Sequence, residues 1–130
     1  MADYTKLNIE EVEDSAVKFG LAPNLEARFA KRPLGSEIVG VSRERLAPGY
    51  RAPFGHMHRD QEEVYFVLGG GGRIKIEDEI VELRTGDLVR LGRGVWRCTE
   101  AGPDGMEYLA VGAPVSDEDD SEIQQGWWSD

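Results

Sequence analysis

His56 and His58 are the only histidines in the chain, and they stand two residues apart in Gly55-His56-Met57-His58-Arg59-Asp60-Gln61-Glu62-Glu63. On a strand, residues i and i+2 share a face, so both imidazoles can aim at one point. A reversal of the chain at Arg59-Asp60-Gln61 brings a carboxylate at the start of the next strand, Glu62 or Glu63, to the same point. Two imidazoles and a carboxylate make one face of a transition-metal site. The single cysteine, Cys98, has no histidine near it in sequence and reads as core or surface filler rather than a nucleophile.

Short strands must position these groups. Leu25, Ala27 and Phe29 alternate with Glu26, Arg28 and Ala30. A turn over 32–36 leads to a second predicted strand over 37–46, and Ala47-Pro48-Gly49 turns again. Two short strands carry the His-X-His stretch and Val64-Tyr65-Phe66-Val67-Leu68. Parity with Glu63 places Tyr65 and Val67 on the interior face. The run Gly69 to Gly72 lacks the Gly-Lys-Ser/Thr of a phosphate loop and is expected to be a hairpin turn with positive φ. Arg73-Ile74-Lys75-Ile76 pairs through Glu77-Asp78 with Glu79–Leu83. Leu88–Leu91, Val95–Thr99 and Met106–Val111 follow, with a turn expected over 101–105. Turn signals every eight to twelve residues, without a sustained helical period, predict a single all-β domain, a sandwich or barrel.

Composition narrows the function classes. The net charge is −10, and the last 14 residues hold six of the 25 acidic residues and no Lys or Arg. What remains carries 19 acidic and 15 basic residues. An acidic chain without a basic patch argues against nucleic acid and anionic membranes as partners. Arg43, Arg45, Arg51 and Arg90 are either an anion-binding set or charged outward faces of strands, the latter being the more usual arrangement. No apolar run reaches the roughly 18 residues of a membrane helix. The absence of a secretory pattern and the single cysteine lead us to expect a cytoplasmic protein. Residues 1–24 are expected to form an N-terminal edge segment, and 25–115 the barrel. Residues 116–130, an acidic run followed by Ile123, Trp127 and Trp128, should dock on the barrel or on a second subunit, because adjacent tryptophans are costly to leave in water. A homodimer is the expected assembly.

These motifs resemble the small single-domain cupins, whose fold is a double-stranded β-helix jelly roll. Their first motif, G(X)5HXH(X)3,4E(X)6G, is matched by His56, His58, Glu63 and Gly70, with Gly49 one residue further upstream than the pattern asks. Glu62 with Gly69 satisfies the shorter spacing. Glu63 is preferred because it directly precedes the apolar strand. In the second motif, G(X)5PXG(X)2H(X)3N, Gly86 and Gly94 fit, while Gly92 replaces the proline and Ala101 the asparagine. Arg97 stands where the family has its fourth metal ligand. The resemblance implies a divalent metal (iron, manganese, nickel or zinc) on His56, His58 and Glu63, and a small-molecule ligand.

Arg97 complicates that implication, because a guanidinium has no lone pair for a metal. Two arrangements compete. In one, three ligands hold the metal and Arg97, with Tyr65 as a neighbouring wall, binds an anionic substrate. In the other, Arg97 pairs with Glu63 and leaves a metal-free pocket. The expected function is accordingly either a metal-binding cupin, an enzyme on a small organic molecule, or a metal-free module that binds or senses a small ligand. The family includes dioxygenases, isomerases and decarboxylases, so the resemblance does not select a reaction.

Overall fold

The structure is a computed structural model describing residues 2–116 and 118–130. Asp117, the first residue of the predicted acidic run, and Met1, the start of the N-terminal segment, lie outside the described residues. Eight strands carry the fold: β1 (Leu25–Phe29), β2 (Gly40–Leu46), β3 (Phe54–His58), β4 (Glu62–Ile76), β5 (Glu79–Arg84), β6 (Leu88–Leu91), β7 (Arg97–Ala113) and β8 (Ser121–Gln125). A 3-10 turn at Ile9–Glu11 and one short helix, α1 (Lys31–Leu34), complete the described elements.

Two long bent strands, β4 and β7, organise the barrel. The first part of β4 pairs with the last part of β7, from Glu62↔Ala113 to Val67↔Tyr108. The second part of β4 pairs with the first part of β7, from Gly72↔Ala101 to Ile76↔Arg97. One half of the curled sheet therefore reads β1-β2-β7-β4-β6, and the other reads β8-β3-β7-β4-β5. This is a curled antiparallel jelly roll, all-β as the strand pattern predicts.

The glycine run corrects a sequence expectation. Gly69 to Gly72 is not a hairpin turn but the bend within β4, where the register against β7 slips twice. Only Gly70 has positive φ, at 66°. A Cβ at Gly70 would strike the carbonyl of Gly105, and one at Gly72 that of Glu100. The glycines are needed for close backbone approach, which is why a run that resembles a turn continues as strand. The expected turn over 101–105 is likewise the bend of β7. Two other boundaries move: β2 begins at Gly40 rather than residue 37, and β7 begins at Arg97 rather than Val95.

Alternation places the core inside the barrel. Tyr65, Val67, Ile74, Leu91, Met106, Tyr108 and Ala110 are buried there. The N-terminal segment lies against β1, bridging Asp14 to Arg28 and burying Val12 and Ala16. At the other end of the chain, β8 pairs with β3 over its whole length, from Phe54↔Gln125 to His58↔Ser121. Trp128 is buried beneath the Arg51 guanidinium at 4.2 Å, and Trp127 stacks on Trp96. Gly55 is required for this closure, since a Cβ there would enter the Trp127 ring. Among the described residues no helix is long and apolar enough to cross a membrane.

Candidate metal centre

Strand β3 delivers His56 and His58, and the reversal after it starts β4 so that Glu63 points into the barrel and Glu62 away from it. Glu63 is buried, whereas Glu62 is exposed and pairs with Arg90 at 3.0 Å. Ligand atoms of His56, His58 and Glu63 all lie within 4.8 Å of one another. The two imidazoles meet edge to face, with ring centroids 5.2 Å apart. His58 Nε2 is 3.4 Å from Glu63 Oε1.

Arg97, the register partner of His56, is completely buried. Its guanidinium donates to Glu63, to the Val95 carbonyl at 2.8 Å and, more loosely, to the Tyr65 hydroxyl at 3.4 Å. Such a charge is tolerable inside a barrel only because it is paired and hydrogen-bonded. The structure thus brings together all five residues singled out by sequence: His56, His58, Glu63, Tyr65 and Arg97.

The electrostatics differ between the two histidines. Burial pushes His56 down to about 4, with the Arg97 charge acting in the same direction, so its ring is neutral and its lone pair free near neutral pH. Burial also favours a neutral His58, but hydrogen bonds to the Glu63 and Asp120 carboxylates outweigh it and raise its pKa. For Glu63, burial works against the charge, and the His58 hydrogen bond and the Arg97 charge prevail, holding it below the ordinary carboxylate range. Neutral imidazole and ionised carboxylate are the forms that bind a metal. The donor set therefore fits a divalent first-row ion held by His56, His58 Nε2 and Glu63.

Two further groups escaped sequence reasoning. Glu44 on β2 lines a cavity of about 30 Å³ together with His56, Tyr65, Arg97, Thr99 and Tyr108. Burial raises its pKa to about 7, against a hydrogen bond with Tyr108 that lowers it. Its signal was parity, because Ser42, Glu44 and Leu46 share one face of a strand whose Ser42 and Leu46 are buried. The second is Asp120, whose Oδ1 lies 2.7 Å from His58 Nδ1. It sits 62 positions from its partner, in a run that reads as solvated charge.

The remaining sequence candidates fall outside the centre. Arg43 pairs with Glu10 and Glu26, Arg45 with Glu107, Arg51 with Glu100 and Asp130, and Arg90 with Glu62. Arg45 and Arg90 are exposed charges on β2 and β6, Arg43 on β2 is buried against Glu10 and Glu26, and Arg51 lies in the segment before β3. Cys98 is buried, and desolvation raises its thiol to about 11, so it holds no thiolate at neutral pH.

The sequence profile of the cupin domain matches residues 42–112. A cupin protein from Bacteroides fragilis superposes with a TM-score of 0.71 at 26% identity, over 92% of this chain and 91% of that one. A Bacillus subtilis oxalate decarboxylase, in a structure described for its Mn(II) centres, gives a TM-score of 0.75 at 25% identity. The match covers 91% of this chain and 31% of that longer one. A Streptomyces protein, PAC13, solved with uridine, shares the fold at 18% identity and a TM-score of 0.71, over 96% of this chain and 92% of that one. No curated protein sequence matches the chain.

Proposed function

The chain belongs to the cupin domain family, and on that premise we propose that it binds a divalent transition metal through His56, His58 and Glu63. The observation that carries this reading is the convergence of three ligand atoms within 4.8 Å inside a barrel. Iron, manganese, nickel and zinc all suit the donor set. Manganese is the first to test, because Mn(II) centres are described for the decarboxylase of similar fold.

When bound, a metal with three protein ligands would polarise an oxygen-containing substrate or lower the pKa of a coordinated water. The chain's own residues do the rest. His56 and His58 present nitrogen lone pairs, and Glu63 supplies negative charge. Arg97 holds Glu63 in place and leaves a positive charge beside the centre, which favours an anionic ligand. Glu44, with a pKa near 7, can hold or release a proton toward an occupant of the inner cavity. That cavity has the volume of about one water. The inner cavity is therefore too small to take an organic substrate.

A second reading rests on a different observation, the ion pair of Arg97 with Glu63. A carboxylate already engaged by a guanidinium is a poorer metal ligand, so the same barrel would serve as a metal-free binding or sensing module. Thermal shift separates the two. On the metal reading, adding Mn(II) or Zn(II) raises the melting temperature of the wild type and not that of His56→Ala. No shift in either protein would favour the metal-free module.

A further inference from the structure

The acidic run before β8 contains one carboxylate that is not merely solvated. Asp120 Oδ1 lies 2.7 Å from His58 Nδ1. Its other oxygen, Oδ2, accepts from the backbone N–H groups of Asp60 and Gln61 at 3.0 Å each. These are the residues of the reversal between β3 and β4, the strands that carry the two histidines and Glu63. On the backbone side, Arg59 N–H donates to the Asp120 carbonyl at 2.9 Å, and β8 begins pairing with β3 at His58↔Ser121. Oδ2 is held by two backbone N–H groups, so the orientation of the carboxylate is fixed independently of the imidazole.

Two carboxylates face His58 and an ionised carboxylate only accepts, so a single imidazole proton goes to the nitrogen with the shorter contact: Nδ1, 2.7 Å from Asp120, against Nε2, 3.4 Å from Glu63. We propose that Asp120 is a positioning residue that holds His58 with its proton on Nδ1, leaving Nε2 as the nitrogen that faces Glu63 and the centre. A carboxylate on the far nitrogen of a metal-binding histidine fixes the tautomer and ring orientation and raises ligand basicity. Asp120, directly before β8, thus completes the centre at a residue beyond the stretch 42–112 that carries the family signature. The assignment of the tautomer stands on the hydrogen bonds alone, whereas its consequence for metal affinity rests on the metal reading above.

Two measurements test the proposal on the full chain. The first is the 15N spectrum of the His58 imidazole in metal-free wild type, on the alkaline side of its titration. The expected signature is a protonated Nδ1 and an unprotonated Nε2. A proton on Nε2, or an even mixture of the two tautomers, overturns the proposal. The second compares Asp120→Ala with wild type in competitive chelator titration using Mn(II) and Zn(II). Affinity should fall about 10- to 100-fold, together with loss of the Nδ1–H signature. A variant that melts earlier yet keeps both tautomer and affinity means that Asp120 only braces the turn, and this too overturns the proposal. Should Asp120→Ala fail to fold, the wild-type tautomer decides. If the wild type shows the Nδ1–H tautomer but binds neither metal, the metal reading fails while the positioning of His58 stands.

Discussion

Arg97 and Glu63 form an ion pair inside the barrel, on the carboxylate that also faces His58. Glu63 is thereby shared between a permanent cation and the candidate metal ligands. In Arg97→His an imidazole replaces the charge, adding a donor and removing repulsion of a dication. We expect Mn(II) or Zn(II) affinity to rise by about tenfold or more. The metal-free protein should lose about 3 kcal/mol, because Glu63 remains buried without its partner. Isothermal titration and denaturant unfolding read the two effects separately; an unchanged affinity would mean that Arg97 does not act on the centre.

Glu44 makes stability depend on pH. Its folded pKa of about 7 lies above the ordinary value of 4.5, so between these values the folded state binds more protons than the unfolded state. Stability therefore falls as pH rises across this window, by up to about 3 kcal/mol. His56 acts oppositely over an overlapping range. Held down to about 4 from 6.5, it removes stability as pH falls. The difference between Glu44→Gln and wild type isolates the glutamate. The variant should gain stability near about pH 8 and gain nothing near about pH 4. An equal gain at both would show that folding does not shift the Glu44 pKa.

The bend of β4 depends on the absence of side chains. Gly72→Ala drives a methyl into the Glu100 carbonyl across the β4–β7 ladder. A loss of about 3 kcal/mol is expected, at the upper end of overpacking costs, because backbone cannot give way as a side chain can. Gly69→Ala, with open space at its Cβ and no positive φ, is the internal control and should cost under about 1 kcal/mol. Equal losses measured by chemical denaturation would contradict this account of the bend.

Trp128 closes the C-terminal end. It is buried, with Arg51 and Arg73 guanidinium groups 4.2 and 5.2 Å from its ring. Trp128→Ala should cost about 3 kcal/mol and raise hydrogen exchange along β8 and β3. Unchanged protection of those amides would mean that the tryptophan does not hold β8 in place.

The sequence made the centre legible where chemistry and strand parity coincide. His56, His58, Glu63 and Tyr65 follow from alternation on consecutive strands, and the family motif places Arg97 opposite them. Asp120 was invisible because its role depends on β8 returning to β3, a pairing between residues about 60 positions apart that no local pattern encodes. The bends of β4 and β7 were misread for a related reason. Glycine and proline punctuate turns, but here the glycines let two paired strands approach closely through a bend while both continue. The local signal is the same, and only the partner strand distinguishes the outcomes.

Metal content is the most direct measurement of the central claim. The protein is purified without an affinity tag, loaded with Mn(II) or Zn(II), freed of excess ion and analysed by elemental mass spectrometry. We predict about one equivalent per chain in the wild type, and loss of that metal in both His56→Ala and Glu63→Gln. A folded wild type that retains no metal, or a His56→Ala protein that retains as much as the wild type, would contradict the assignment of His56, His58 and Glu63 as a metal centre.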